Sequence, residues 1–88
     1  MPLISQFYGI SIYIYRQLRG QPHTPHVRAQ YGEYELSILF DGNIIAGNLP
    51  NKQRKLVEAW VALHEDELEA AWKAYNENGE IIKIKGLE

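Results

Sequence analysis

The sequence contains no cysteine. This absence excludes a disulfide framework and any metal site built on thiolates. It fits the reducing cytoplasm, which is the location that we expect. With 88 residues, the chain allows one domain, spanning residues 1–88. A domain of this size without cross-links has a thin core, so a partner chain would help to stabilise it.

Long apolar segments are also missing. No apolar run approaches the roughly 20 residues that a membrane-spanning helix needs, so we expect no membrane partner. The N-terminus lacks the basic segment and apolar stretch of a signal peptide. The content of 45% hydrophobic and 23% charged residues is typical of a globular domain.

Neither sign of charge dominates the chain, whose formal net charge is −2. The first 56 residues nevertheless hold six basic and three acidic side chains, whereas residues 57–88 hold three basic and eight acidic ones. Net charges of +3 and −5 suit a charged partner or a head-to-tail contact between copies. Solvated faces of opposite sign would give the same pattern.

The most regular pattern lies between Pro25 and Phe40, where two alternating runs flank Gly32-Glu33. It predicts a β-hairpin with a two-residue turn. That register places six side chains on the expected core face: Val27, Ala29, Tyr31, Tyr34, Leu36 and Ile38. The other face pairs His26 with Leu39, Arg28 with Ser37, and Gln30 with Glu35.

A second hairpin signal, Asp41-Gly42, predicts another two-residue turn, which sets Leu39 opposite Ile44 and Ile38 opposite Ile45. Upstream, residues 10–15 alternate cleanly, and residues 3–7 could add one more strand. We therefore predict an antiparallel β-meander of four to five strands, at about 10–16, 26–31, 34–40 and 43–48, with 3–7 as the fifth.

A helical segment follows from Lys52 to Asn76, without Gly or Pro and with apolar residues at three- and four-residue spacing. Asn51 is the expected N-cap, and Asn78-Gly79 is the expected end. One helix of this length, about 37 Å, is long for the domain. Because carboxylates at 65–67 prefer an N-terminal turn, the helix should bend or break near His64.

The predicted fold is therefore α+β: the meander with one long, bent C-terminal helix packed on one face. The helix residues Leu56, Trp60, Leu68 and Trp72 should contact the sheet residues Val27, Leu36, Ile38 and Ile45. The alternating stretch 81–85 predicts either a further strand or an arm onto a partner.

His26, Arg28 and Gln30 share one strand face and form a candidate binding row. A histidine can move protons near neutral pH and an arginine can hold a phosphate, so with Tyr31 they could form an RNA-cleaving set. Tyr31 points to the opposite face of a regular strand, which favours binding over catalysis. The basic loop 16–24 before this strand is long enough to take part in binding.

Lys52, Arg54 and Lys55 crowd the first turn of the helix, where cations oppose the helix dipole. Such a cost is tolerated where an anion binds, such as nucleic acid or an acidic partner. No helix-turn-helix, GxxG loop or zinc motif accompanies them. A nucleic-acid partner therefore stays an alternative.

The three histidines do not predict a metal site. His23 and His26 flank Pro25 at a spacing that is not regular for ligands, and His64 falls in the apolar stripe of the helix, typical of a histidine at the edge of a core. We expect no metal and no cofactor.

Four further residues, Tyr13, Tyr15, Leu39 and Ile44, fall on the sheet face opposite the expected core. One helix cannot cover both faces of a sheet, so a second chain could bind there. The N-terminal segment or the tail could cover it instead. These four residues are the candidate interface.

Several segments resemble a family of small prokaryotic proteins catalogued as domain of unknown function 4160: residues 1–4 and 7–10, Pro25-His26, Tyr31-Gly32-Glu33, residues 47–50 and the helix LVEAWVALHEDELEAAW. Family members commonly read proline, proline, histidine, aromatic, histidine where this chain has residues 24–28. His26 keeps the first histidine, and Arg28 replaces the second. The resemblance therefore does not carry a two-histidine metal site over to this chain.

The family has no established activity, but the resemblance implies a partner-binding protein, since some members are thought to lie in operons like those of toxin–antitoxin pairs. We expect a small protein–protein interaction module, one half of such a pair or a homo-oligomer, without enzymatic activity. The alternative is a nucleic-acid-binding protein or a small RNA-cleaving toxin that uses His26 and Arg28.

Overall fold

The computed structural model of the chain describes residues 2–15 and 24–87. Five strands form one antiparallel sheet in chain order: β1 (Leu3–Phe7), β2 (Ile10–Ile14), β3 (His26–Tyr31), β4 (Tyr34–Leu39) and β5 (Ile44–Asn48). The predicted meander is confirmed, with residues 3–7 as its fifth strand. The expected basic loop spans residues 16–24. Of these, residues 16–23 lie outside the described residues.

Two tight turns lie at one end of the sheet. Tyr8 and Gly9 join β1 to β2 with positive φ angles of 49° and 77°, the signature of a type I′ turn. Gly32, with φ of 59°, begins the two-residue turn between β3 and β4. The predicted β3–β4 register is confirmed at all six pairs, from His26 opposite Leu39 to Tyr31 opposite Tyr34.

The prediction for the next turn is wrong. The N–H of Gly42 donates to the carbonyl of Leu39 (3.0 Å), and the N–H of Leu39 donates to the carbonyl of Asn43 (2.8 Å), which closes a three-residue loop. The Asp41 carboxylate supports it by accepting bonds from the backbone and side-chain N–H groups of Asn43, at 2.9 and 3.0 Å.

The longer loop shifts the register of β5. Ile44, not Ile45, lies opposite Ile38, and an irregularity follows before Ala46 pairs with Ser37. Ile45 is the residue left over, and it is 52% exposed. The expected contact between Ile45 and the helices is therefore wrong.

Two helices follow the sheet, α1 (Asn51–Leu63) and α2 (Glu65–Asn78), so the single long helix is wrong and a break near His64 is confirmed. His64 leaves the helical region with φ of −117° and ψ of 24°. Three carboxylates then occupy the first turn of α2, where the helix dipole favours them. Neither helix is long and apolar enough to span a membrane.

The ends of the helical region agree only in part with the sequence. Pro50 is the N-cap of α1, so Asn51 is its first residue, and the Asn51 side chain instead accepts a hydrogen bond from the Arg54 guanidinium. At the other end, Gly79 adopts the left-handed conformation with φ of 70°, and its N–H donates to the carbonyl of Tyr75 (2.9 Å). The predicted stop at Asn78-Gly79 is confirmed.

The core lies between the sheet and the two helices. Alternate strand residues and one face of each helix are fully or almost fully buried there. The expected contributors Val27, Leu36, Ile38, Trp60, Leu68 and Trp72 all belong to this cluster, while Leu56 is half-buried against it. Tyr34 shares the face of Tyr31 but lies beyond the helices and is 48% exposed.

The C-terminal segment 79–87 does not form the further strand predicted for residues 81–85. It packs on its own domain: the N–H of Ile84 donates to the carbonyl of Ile4 (2.8 Å), and the Trp60 indole N–H donates to the carbonyl of Lys85 (2.9 Å). Ile84 joins the core. The tail thus covers the free edge of β1, while β5 forms the other edge of the sheet.

Candidate functional site

The sheet face turned away from the helices is called the outer face here. One row across it runs from Leu3 through Tyr13 and Arg28 to Ser37, as the strand registers require. Other members of this face are Gln6, Ser11, Gln30, Glu35, His26, Leu39, Ala46 and Asn48. Both helices and the tail pack on the opposite side, and within the described residues α2 reaches only the margin of the outer face, beside His26.

His26 begins β3 at one end of the outer face. Its Nδ1 lies 3.0 Å from the carbonyl oxygen of Thr24, an acceptor, so Nδ1 carries the proton of that bond. In the neutral ring Nε2 is then the nitrogen without a hydrogen, which can accept a hydrogen bond. The imidazole lies 5.0 Å from the Tyr15 ring and 6.3 Å from the Trp72 ring, measured between ring centres.

Arg28 lies at the centre of the outer face and is held from two sides. Its guanidinium carbon lies 4.8 Å from the centre of the Tyr15 ring, a cation–π contact. Its Nε lies 3.1 Å from a carboxylate oxygen of Glu35 on the neighbouring strand. This exposed ion pair adds little stability, but the two contacts together restrict the orientation of the guanidinium.

Tyr15 forms a cluster with His26 and Arg28, and its hydroxyl lies in an unfavourable environment. Its hydroxyl is buried and has no hydrogen-bond partner among residues 2–15 and 24–87. Burial raises the pKa of Tyr15 above 10.0; the nearby Arg28 charge opposes this shift, and the Glu35 charge adds to it. A buried hydroxyl without a partner costs free energy, so a group that bonded to it would gain that energy back.

Sequence reasoning grouped Tyr31 with His26 and Arg28, but the structure brings Tyr15 to them instead. Tyr31 packs against the core on the other face. The registered pair Ile14–Val27 sets Tyr15 beside His26. The sequence signal was the alternation of β2, but the β2–β3 register depends on a long connection rather than on a tight turn.

The predicted binding residues fall into two separate groups. His26, Arg28 and Gln30 lie on the outer face, whereas Lys52, Arg54 and Lys55 lie in the first turns of α1. Arg54 is engaged within its own helix by Glu58, at 3.0 Å.

Lys52 lines a separate cleft of about 510 Å³ together with Tyr8, Tyr31, Gln53 and Leu56. This cleft could not be predicted from sequence patterns, because a turn, a strand end and a helix start from three parts of the chain form it together.

The predicted interface residues are also divided. Tyr13, Tyr15 and Leu39 are half-buried and lie on or beside the outer face. Ile44 lies opposite the core residue Ile38 instead, at the sheet edge, where it is 38% exposed. The three-residue loop before β5 is the physical reason for this difference.

Among residues 2–15 and 24–87, no three histidines or carboxylates gather where they could hold one metal ion. His23, one of the two histidines weighed as metal ligands, lies outside the described residues. His64 is half-buried between the helices, with its Nδ1 2.6 Å from the Glu67 carboxylate and its ring 5.3 Å from the Trp60 ring, as expected of a histidine at the edge of a core.

Comparison with known proteins shows which family the chain belongs to. Residues 9–73 match a family described as a domain of unknown function (DUF4160). The chain belongs to this family. The match covers β2 to β5, all of α1 and most of α2. It leaves out β1, with Leu3 and Gln6 of the outer face, and Tyr8 of the cleft. No curated protein and no solved structure matches the chain.

Proposed function

We propose that this protein is a small protein–protein interaction module whose outer face binds a partner. The observation that carries the proposal is a group of half-buried aromatic and apolar side chains beside an arginine, on a mostly polar sheet face that the described elements cover only at its margin. Tyr13, Tyr15 and Leu39 lie there around Arg28. A sheet face with this content is a common binding surface.

The chemistry of the cluster suits a binding hot spot. Tyrosine and arginine are the side chains most often found at such positions. Arg28 is held in place before any partner arrives, which lowers the entropic cost of binding. A hollow of about 220 Å³ opens beside it, lined by Glu35, Ser37, Ala46 and Gly47 among others. A partner side chain that filled the hollow would lie next to the guanidinium.

The partner that we favour is a small protein encoded beside this one, as in a toxin–antitoxin-like pair; a second copy of the chain is the other partner that the surface admits. A cytoplasmic location goes with this proposal, because the chain has no cysteine to protect or cross-link.

Co-expression with the protein encoded next to it tests the proposal. Tyr13→Lys places a charge in the middle of the outer face and should reduce co-purification at least tenfold. Leu63→Lys is the matched control, because Leu63 is an apolar residue of α1 that is 70% exposed on the opposite side of the domain. This control should bind as the unaltered protein does.

Size-exclusion chromatography with light scattering completes the test. If the unaltered protein stays monomeric and retains no neighbour-encoded protein, the interaction module is refuted. Equal binding by the Tyr13→Lys and Leu63→Lys variants would move the interface away from the outer face. Circular dichroism on each variant shows whether the fold is kept.

A second candidate function, cleavage or binding of RNA, is favoured by one observation. His26 presents a free Nε2 at the end of the face that carries Arg28. In RNA cleavage such a base would take the proton of the attacking 2′-hydroxyl, and the cation would stabilise the charge on the phosphate while the bond to the 5′-oxygen breaks. The leaving 5′-oxygen would then take a proton from the protonated base or from water. If expression arrests growth, His26→Ala should relieve the arrest, whereas His64→Ala should not. An unaltered growth rate, together with no salt-sensitive RNA binding, would refute this candidate.

A further inference from the structure

The cleft beside the tight turns is lined by aromatic, aliphatic, amide and ammonium groups. Tyr8 from the β1–β2 turn and Tyr31 from the end of β3 supply aromatic rings. Leu56, Gln53 and Lys52 of α1 supply an aliphatic wall, an amide and an ammonium group. Its volume of about 510 Å³ lies within the range of small-ligand sites.

Tyr8 occupies a backbone conformation that tyrosine seldom adopts. Its φ is 49°, and it stands at the first central position of a type I′ turn, where asparagine or glycine is preferred. Bulky residues with positive φ are genuine outliers. The side chain is 55% exposed, so burial in the core does not compensate for the conformation. A residue that costs stability and faces solvent at a cleft suggests a role in binding.

The second ring, that of Tyr31, is held in place by the turn at Gly9 and by the core. A Cβ on Gly9 would lie 3.3 Å from the Tyr31 ring, so glycine allows the turn to pack closely against that ring. Tyr31 is half-buried and packs against the core. The cleft therefore combines one anchored ring and one exposed ring.

The charged side chains at the cleft indicate which class of ligand the two rings would bind. Within the part of the chain that the structure describes, no carboxylate lines the cleft and Lys52 is the charged residue that does. Lys55 lies between Gln53 and Leu56 in the helix and is exposed, but it does not line the cleft. Glu33 lies in the adjoining turn but does not line the cleft. Stacking surfaces beside cations are the means by which proteins hold unpaired bases and their phosphates.

We propose that the cleft formed by Tyr8, Tyr31, Lys52, Gln53 and Leu56 binds single-stranded nucleic acid. A base stacks on the exposed Tyr8 ring, and Lys52 contacts the adjoining phosphate. The site is separate from the outer face and from His26, which begins the strand that Tyr31 ends. The inference does not depend on the proposed partner binding.

Fluorescence anisotropy with oligothymidylate and oligouridylate of about 12 nucleotides tests the proposal, since sites of this kind span roughly 4–16 nucleotides. The unaltered protein should bind both strands and bind a duplex of equal length more weakly. The logarithm of the affinity should fall linearly with the logarithm of the salt concentration.

The Tyr8→Asn variant separates binding from folding. Asparagine suits the type I′ turn, so the variant should melt at a higher temperature than the unaltered protein and still bind the strands at least tenfold more weakly. The Lys52→Gln variant should bind more weakly. Its plot of log affinity against log salt concentration should be less steep, by the amount expected for the loss of one phosphate contact. Lys73→Gln, a change of the same kind on an exposed residue of α2, should change neither.

Three outcomes would overturn the proposal. One is the absence of single-strand binding at low salt. Another is a Tyr8→Asn variant that binds as well as the unaltered protein, or one that melts at a lower temperature. The third is binding of a proline-rich peptide in the cleft without any binding of nucleic acid. Because none of these measurements involves the outer face, failure here leaves the proposed partner binding to its own test.

Discussion

Replacing Gly47 with alanine should be among the most damaging single changes in the sheet. Gly47 lies opposite Leu36 in β5 with φ of 76°, a conformation that costs an alanine about 1–2 kcal/mol. In addition, a Cβ at this position would lie 2.2 Å from the carbonyl oxygen of Glu35 and 3.0 Å from its carbonyl carbon. The strands would have to separate there.

The expected loss of stability combines the cost of the positive φ with the cost of separating the two strands. Separation of β5 from β4 would weaken ladder hydrogen bonds worth about 0.5–1.5 kcal/mol each. Added to the cost of the positive φ, the loss should reach about 3 kcal/mol. Because a domain of this size loses roughly 4–8 °C of melting temperature per kcal/mol, the melting temperature should fall by about 12–24 °C. Urea unfolding followed by tryptophan fluorescence and thermal unfolding by circular dichroism measure both quantities.

Gly32→Ala is the matched control. Gly32 also has a positive φ, 59°, but a Cβ there would meet no atom within 4 Å. This variant should therefore lose only about 1–2 kcal/mol. If both variants lose the same free energy of unfolding, the close approach of β5 to β4 does not exist and the reasoning is refuted.

Tyr15→Phe removes a buried hydroxyl that has no hydrogen-bond partner among the described residues, so it should raise the free energy of unfolding at neutral pH by about 1 kcal/mol. Because burial holds the pKa of Tyr15 above 10.0, the unaltered protein should lose stability as the pH rises from about 10 through the raised pKa, where the unfolded state releases the proton more readily than the folded state. Urea midpoints measured up to about pH 11 should therefore fall less in the variant. Trp60→Phe removes the bond to the Lys85 carbonyl and should cost about 1–2 kcal/mol while making the tail easier to cleave by protease. Leu68→Ala should cost about 2–5 kcal/mol by urea unfolding, whereas Leu63→Ala, at an exposed position, should change stability by no more than about 0.5 kcal/mol.

Local chemistry decided which parts of the fold could be predicted. Gly32 begins a two-residue turn, and this turn fixes the complete register of β3 and β4. The helix break was also predictable, because Glu65, Asp66 and Glu67 mark a second helix start. Both signals lie within a few residues of the feature that they specify.

The failures arose where the same residues admit two structures. Asp41-Gly42 is compatible with loops of two or three residues, and the bonds from Asp41 to Asn43 select the longer one. That single added residue moved Ile44 and Ile45 from their expected positions.

The membership of Tyr15 in the His26–Arg28 cluster could not be read from the sequence either, since it depends on a register that no tight turn fixes. The row of His26, Arg28 and Gln30 on one face was predictable, because alternation along a strand alone determines it.

The docking of the tail has a consequence for assembly. The bond between Ile84 and Ile4 joins segments 80 positions apart in sequence, whereas the meander pairs neighbours along the chain. A terminal segment docked in this way can open locally at a lower free energy than the whole sheet needs to unfold. Each opening uncovers the outer edge of β1, which then offers unpaired N–H and carbonyl groups to another chain. The free energy of this local opening, measurable as hydrogen exchange at the Ile84 amide, therefore sets how readily two copies could exchange their tails.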